Sequence, residues 1–211
     1  MAIHPSYADG HGVLGHTQQK QGKVAEAIAS LSLSLRLNPG EYETAVNLGA
    51  AYTAAGQMQP AWDTYATALR LGPGKVAAYS NLGLLLAQTG DPQGAIKMFR
   101  QGLEAEPAGR EAFAAHYNMG NALNGLDPAA AVRSYRACLA LRPAMGQVYY
   151  NMAVAHHSLE QLPEAVVALQ FATKFQPDDP DAYSNLGATL EMTGNKAAAK
   201  VALDIAAQLQ R

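Results

Sequence analysis

Cysteine is all but missing. Cys138 is the single thiol in 211 residues, so neither an intrachain disulfide nor a cysteine-built metal cluster can form. That usage fits a reducing compartment. Charge is sparse too: 15% of residues are Asp, Glu, Lys or Arg, against about 25% in ordinary soluble domains. The 15 basic and 17 acidic residues leave a net charge of −2, with no basic stripe. A nucleic-acid backbone or an anionic membrane surface finds no electrostatic match here, so neither is expected as a partner. No apolar run reaches the roughly 18 residues of a membrane span. The opening Met1-Ala2-Ile3-His4-Pro5 lacks the basic-then-apolar order of a secretory signal, and a cytoplasmic location is expected.

What the chain does have is a recurring phrase. Tyr117-Asn118-Met119-Gly120 returns as Val46-Asn47-Leu48-Gly49, Ser80-Asn81-Leu82-Gly83, Tyr150-Asn151-Met152-Ala153 and Ser184-Asn185-Leu186-Gly187, with a degenerate copy at Gly12-Val13-Leu14-Gly15. The asparagines stand 34, 37, 33 and 34 residues apart. A fixed period of that length means one supersecondary unit stacked on itself. Prolines keep the same ruler: Pro39, Pro73, Pro107, Pro143 and Pro177 close successive units, and Pro5 falls in register. Proline follows helix ends because it cannot continue their hydrogen bonding. Pro60, Pro92, Pro128, Pro163 and Pro180 suit the first turns of helices, where the missing N–H is not needed.

Each unit then carries two apolar-periodic segments. The first holds the phrase and ends at a turn glycine (Gly22, Gly56, Gly90, Gly125 or Gly194), with Glu160 near that place in the fifth unit. The second holds a small, a bulky and a small residue at spacings of four and three: Ala27/Leu31/Ser34, Ala61/Tyr65/Ala68, Ala95/Phe99/Gly102, Ala131/Tyr135/Cys138, Ala165/Leu169/Ala172 and Ala199/Leu203/Ala206. That spacing puts each set on one helix face, where alternating sizes interdigitate with a neighbour. Cys138 thus occupies a small core slot.

The order Leu48-Gly49, Tyr52, Gly56, Ala61, Tyr65, Ala68, Pro73, repeated in Leu82-Gly83, Gly90, Ala95, Phe99, Gly102, Pro107, resembles the tetratricopeptide repeat. Six repeats are placed at 8–41, 42–75, 76–109, 110–145, 146–179 and 180–211, as one solenoid over the whole chain. The resemblance implies an all-α fold, a right-handed superhelix of helix pairs, and a concave groove lined by the first helices. The fourth repeat departs from the pattern. Pro107 to Met119 spans 12 residues where other junctions span nine, and the turn after Gly120 is expected to be one residue shorter, since Gly120 to Ala131 is 11 where Gly83 to Ala95 is 12. A step or bend is expected between repeats three and four. The last repeat shows an apolar interface with no polar cap, so self-association through the terminal repeats is one further expectation.

Chemical motifs are few. Gly10 to Gly15 matches G-x-G-x-x-G, but no strand precedes it and the repeat already accounts for Leu14-Gly15, so no dinucleotide site is expected. His11 and His16 lie five apart and miss the spacing that co-ligates a metal; His116 and His156 fall at core positions. No catalytic constellation stands out, and no enzyme, metal or cofactor is expected.

The groove remains. At about 100° per residue, the positions four and one before the phrase asparagine, and three, six and seven after it, share one helix side. The family uses these offsets for its concave surface, and the asparagine borders them. Asn47, Asn81, Asn118, Asn151 and Asn185 are expected to form a ladder, with Tyr117, Tyr150, Asn121, Asn124, His157 and Gln88 beside it. A carboxamide offers a donor and an acceptor together, matching the backbone of an extended polypeptide. The competing role is structural, with the amides bonding neighbouring backbone. The ladder resembles the repeat region of O-linked N-acetylglucosamine transferases. Two functions follow: a scaffold binding a protein or peptide partner, or the substrate-recruiting segment of a larger glycosyltransferase-like enzyme. A receptor for acidic tails is disfavoured, because Lys20 is the only basic groove residue while Asp9, Glu43, Asp181 and Glu191 would repel one.

Overall fold

The computed structural model describes residues 5–107, 109 and 111–211; His4 and the residues before it lie outside that range. The described residues form twelve α-helices and no strand: α1 (Pro5–Lys20), α2 (Val24–Leu37), α3 (Tyr42–Ala54), α4 (Met58–Leu71), α5 (Val76–Gln88), α6 (Pro92–Ala105), α7 (Ala112–Asn124), α8 (Pro128–Leu141), α9 (Gly146–Ser158), α10 (Leu162–Phe175), α11 (Pro180–Met192) and α12 (Lys196–Leu209). Odd helices pair with the even helix that follows, giving an all-α solenoid of six helix pairs. It comprises two compact units, one ending at Glu111 and one beginning at Ala112, each with three pairs.

Within a pair, the phrase glycine sets the approach. A Cβ on Gly49, Gly83 or Gly120 would lie 2.5, 2.6 or 2.5 Å from the ring of Tyr65, Phe99 or Tyr135. The glycine is therefore a notch that admits the bulky residue of the second helix. All three rings are buried, and burial of each contributes about 2–3 kcal/mol. The flanking small residues are buried with them, Cys138 among them. Its thiol lies 3.5 Å from the Phe113 carbonyl oxygen, and burial pushes its pKa up to about 12. It is a packed core residue, as its slot implies.

Helix ends follow the punctuation. Pro92, Pro128 and Pro180 open their helices, and the carboxylates of Asp91, Asp127 and Asp179 accept from first-turn N–H groups at 2.8–3.2 Å. Such caps contribute about 1 kcal/mol each. Four odd helices end on a left-handed glycine, Gly22, Gly56, Gly90 or Gly194, and α9 ends on Glu160 with φ 58°. Each of these five ends carries a backbone bond reaching five residues back, as from Gln57 to Tyr52 and from Gln161 to His156. That bond is the signature of the Schellman turn.

The fourth repeat breaks this rule, and it does so inside α7 rather than in the turn. α7 ends four residues after Gly120, whereas α5 ends five after Gly83; the connecting segment is three residues in both. The Asp127 N–H bonds Leu123, only four residues back, and Gly125 is not left-handed. The three added residues upstream divide likewise. The link between α6 and α7 has six residues where the others have four, and α7 begins one residue earlier relative to its glycine. The division into units falls at this link.

Candidate functional site

The predicted groove residues all lie on odd helices: α3, α5, α7, α9 and α11. In the unit beginning at Ala112, a polar network joins α7 to α9, and a separate hydrogen bond joins α9 to α11. Asn151 of α9 donates from Nδ2 to the Tyr117 hydroxyl at 3.2 Å and to Asn121 Oδ1 at 2.9 Å, both on α7. Asn121 Oδ1 also accepts from the Tyr135 hydroxyl at 2.9 Å. Gln147, one turn before Asn151, donates to its Oδ1 at 3.0 Å. One repeat later, Asn185 of α11 donates to the Tyr150 hydroxyl at 2.7 Å.

The asparagines are thus not equivalent. Both N–H bonds of Asn151 are taken, and so is the Oδ1 of Asn121. Groups left for a visitor among the described residues include the amide N–H pair of exposed Asn121, and the Oδ1 with one N–H of exposed Asn185. Asn118 is half-buried and makes no side-chain hydrogen bond among the described residues; Asn124 is half-buried, with its Oδ1 enclosed and unpartnered. His157 is exposed at the end of α9 and, with Asn185, borders a recess of 240 Å³. That recess is floored by Ala153, Leu169 and Thr189.

In the unit ending at Glu111, Asn47 and Asn81 are half-buried and Gln88 is exposed, and the described residues give none of them a side-chain hydrogen bond. The inter-repeat bond is missing there for a plain reason. The residue before Asn47 is Val46, not tyrosine, so no phenol at that position meets Asn81 on the next odd helix. Asn47 faces a recess shared with Asp9, Glu41 and Glu43, so this face is acidic. Glu43 also pairs with Lys75 at 3.4 Å, and that ammonium sits 4.1 Å from the Tyr42 ring centroid.

The remaining motif residues are structural. Gly10 to Gly15 lie inside α1, and the described residues contain no strand. His156 is buried, with Nδ1 2.7 Å from Gln161 Oε1. The His116 ring is half-buried, and desolvation lowers its pKa. Sequence reasoning missed Gln147 and Tyr135 as members of the network. Gln147 stands four before the phrase asparagine, at an offset the groove arithmetic already contained. Tyr135 was legible only as core, because a ring packed on glycine gives no sign that its hydroxyl emerges on the far side.

No group of three or more His, Cys, Asp or Glu among the described residues could hold a metal ion, and no described helix is long and apolar enough to cross a membrane. A family model described as tetratricopeptide repeat matches residues 13–76, 61–110 and 80–126, and one described as TPR repeat matches 155–194. The chain belongs to the tetratricopeptide repeat family. No curated protein matches it. Among solved structures, MamA (41–end) from Desulfovibrio magneticus RS-1 gives a TM-score of 0.72 at 23% identity over 81% of this chain and 95% of its own. PilF of Pseudomonas aeruginosa gives 0.81 at 15% over 93% and 89%. YrrB, described as a TPR protein with an unusual peptide-binding site, gives 0.72 at 22% over 85% and 92%. At these identities the likeness is one of fold. The tetratricopeptide fold serves in general as a scaffold for protein–protein interaction.

Proposed function

We propose that the odd-helix side of the unit beginning at Ala112 binds an uncharged, extended polypeptide. The observation that carries this reading is the Tyr117–Asn121–Asn151–Gln147 network. It fixes the side chains of two helices while leaving the N–H pair of Asn121 facing outward. One repeat on, Asn185 is steadied by Tyr150 and still offers an acceptor and a donor. Pre-ordered amides lose little rotamer entropy on binding, which favours main-chain recognition. YrrB, with its peptide-binding site, supplies a precedent in the same fold. The second reading, a recruiting segment of a larger glycosyltransferase-like enzyme, draws nothing from these relatives.

Peptides selected by phage display against the immobilised protein test the assignment. Their affinity is expected to fall about tenfold in an Asn121→Ala/Asn185→Ala variant, the loss of two or so hydrogen bonds to the ligand, with the chain still helical and cooperatively folded, at a melting temperature lowered by the network bonds that go with these amides. Selected peptides that bind this variant as tightly as the natural chain would place the site elsewhere.

A further inference from the structure

The recess beside Asn185 has an internal reference, because the matching slot is filled in repeat four. In repeat four the Tyr135 ring lies over the Gly120 notch, and its hydroxyl bonds Asn121 Oδ1 at 2.9 Å. Asn151 closes on the same oxygen at 2.9 Å. Ring and two amides together seal the slot. Repeat five places Leu169, Val154 and Asn185 at the three matching positions, and all three border the recess. No phenol fills the slot and no amide closes it.

Leucine alone does not leave the space. Leu31 and Leu203 hold this position in repeats one and six, and there the glycine notch admits them. A Cβ on Gly15 or Gly187 would lie 2.5 or 2.6 Å from the leucine Cγ. In repeat five the notch is occupied by the Ala153 methyl, itself a wall of the recess. The lining hydroxyls give no free proton: Thr189 donates to the Asn185 carbonyl at 2.7 Å and Ser158 to the Val154 carbonyl at 3.1 Å. No carboxylate, lysine or arginine lines it.

We infer that this recess is an anchor pocket for one apolar side chain, of phenylalanine or leucine size, carried by the bound polypeptide. The inference rests on the polypeptide reading above and adds its selectivity. The anchor enters between Val154 and Thr189, while the Asn185 amide holds the adjoining main chain. Tyrosine is the poorer guest, since Val154 stands where Asn121 receives the phenol in repeat four.

The test is a titration of the isotope-labelled full chain, followed by amide chemical shifts. The probes are acetyl-Gly-Ser-Phe-Ser-Gly-amide and the same peptide with alanine at its centre. The phenylalanine peptide is expected to bind at least about tenfold more tightly, the advantage of burying a ring, and to shift Val154, Asn185 and Thr189. Ala153→Gly/Leu169→Tyr, which rebuilds the filled slot, is expected to abolish the preference. Val154→Trp, at an exposed rim position, blocks the mouth without entering the core and is expected to do the same. Equal binding of both peptides, with shifts at Asn121 and Gln147, would overturn the anchor pocket and leave the polypeptide reading standing. Absence of any shift on α7, α9 and α11 would overturn both.

Discussion

Asn151 donates to the Tyr117 hydroxyl across one repeat, and Asn185 makes the same bond to Tyr150 in the next. The tyrosine before one phrase therefore fastens the asparagine of the following phrase. Asn151→Ala removes the amide that joins α7 to α9 and is expected to cost about 1–2 kcal/mol. Asn118→Ala removes no side-chain bond seen among the described residues and is expected to stay within about 0.5 kcal/mol. Chemical denaturation of the two variants checks this, and equal losses would show that the network does not contribute to stability.

The notch and the turn make different demands on glycine. Gly120→Ala drives a methyl into the buried Tyr135 ring, a clash expected to cost about 2 kcal/mol beyond any gain in helix propensity. Gly125 has open space around it and no left-handed φ, so Gly125→Ala is expected to be neutral or slightly stabilising. Gly90, at φ +84°, is the matched control, and Gly90→Ala is expected to cost about 1 kcal/mol. Thermal melts of the three variants rank them, and a Gly125 variant as unstable as the Gly90 one would show that both turns need glycine.

Most of the fold was legible in the sequence because period and size pattern act locally. The glycine, four or five residues from the helix end, and the bulky residue opposite it fix each pair without reference to distant parts of the chain. Missing residues were harder to place. The count from Gly120 to Ala131 showed that one was lost, but only the geometry showed that α7 gave it up and exchanged its Schellman turn for a shorter bond to Leu123. The site was half legible. Helical angles located Asn121, Asn151 and Asn185 on one side, yet spacing within a helix says nothing about bonds between helices. The partnership of Tyr117 with Asn151, 34 residues away, is such a bond. It is what turns one ladder residue into a brace and leaves another available.

Glu160 is the exception among the turns. It holds φ 58° where four sister repeats use glycine, and a side chain in that region costs about 1–2 kcal/mol. The larger unfolded-state entropy of glycine offsets part of the gain, so Glu160→Gly is expected to stabilise the chain by about 0.5–1 kcal/mol. The denaturant midpoint should rise with an unchanged slope. A lower midpoint would mean that the glutamate side chain contributes something the backbone geometry does not reveal.

His116 gives the chain an acid sensitivity with a defined sign. Burial lowers its pKa below the ordinary histidine value of 6.5, and its Nδ1 is enclosed without a hydrogen-bond partner. The unfolded chain therefore binds a proton more readily than the folded one over the interval between the two pKa values. Stability rises with pH wherever the unfolded state holds more protons. The His116 contribution is then complete above about pH 6.5, declines as pH falls below that value, and levels off beneath the folded pKa. His116→Phe keeps a ring at a position the repeat fills with core aromatics and removes the titration. Its stability is expected to vary less with pH over that interval than the natural chain's, with the two curves closest together in slope above neutrality. Parallel curves throughout would show that protonation of this ring is not what the fold resists.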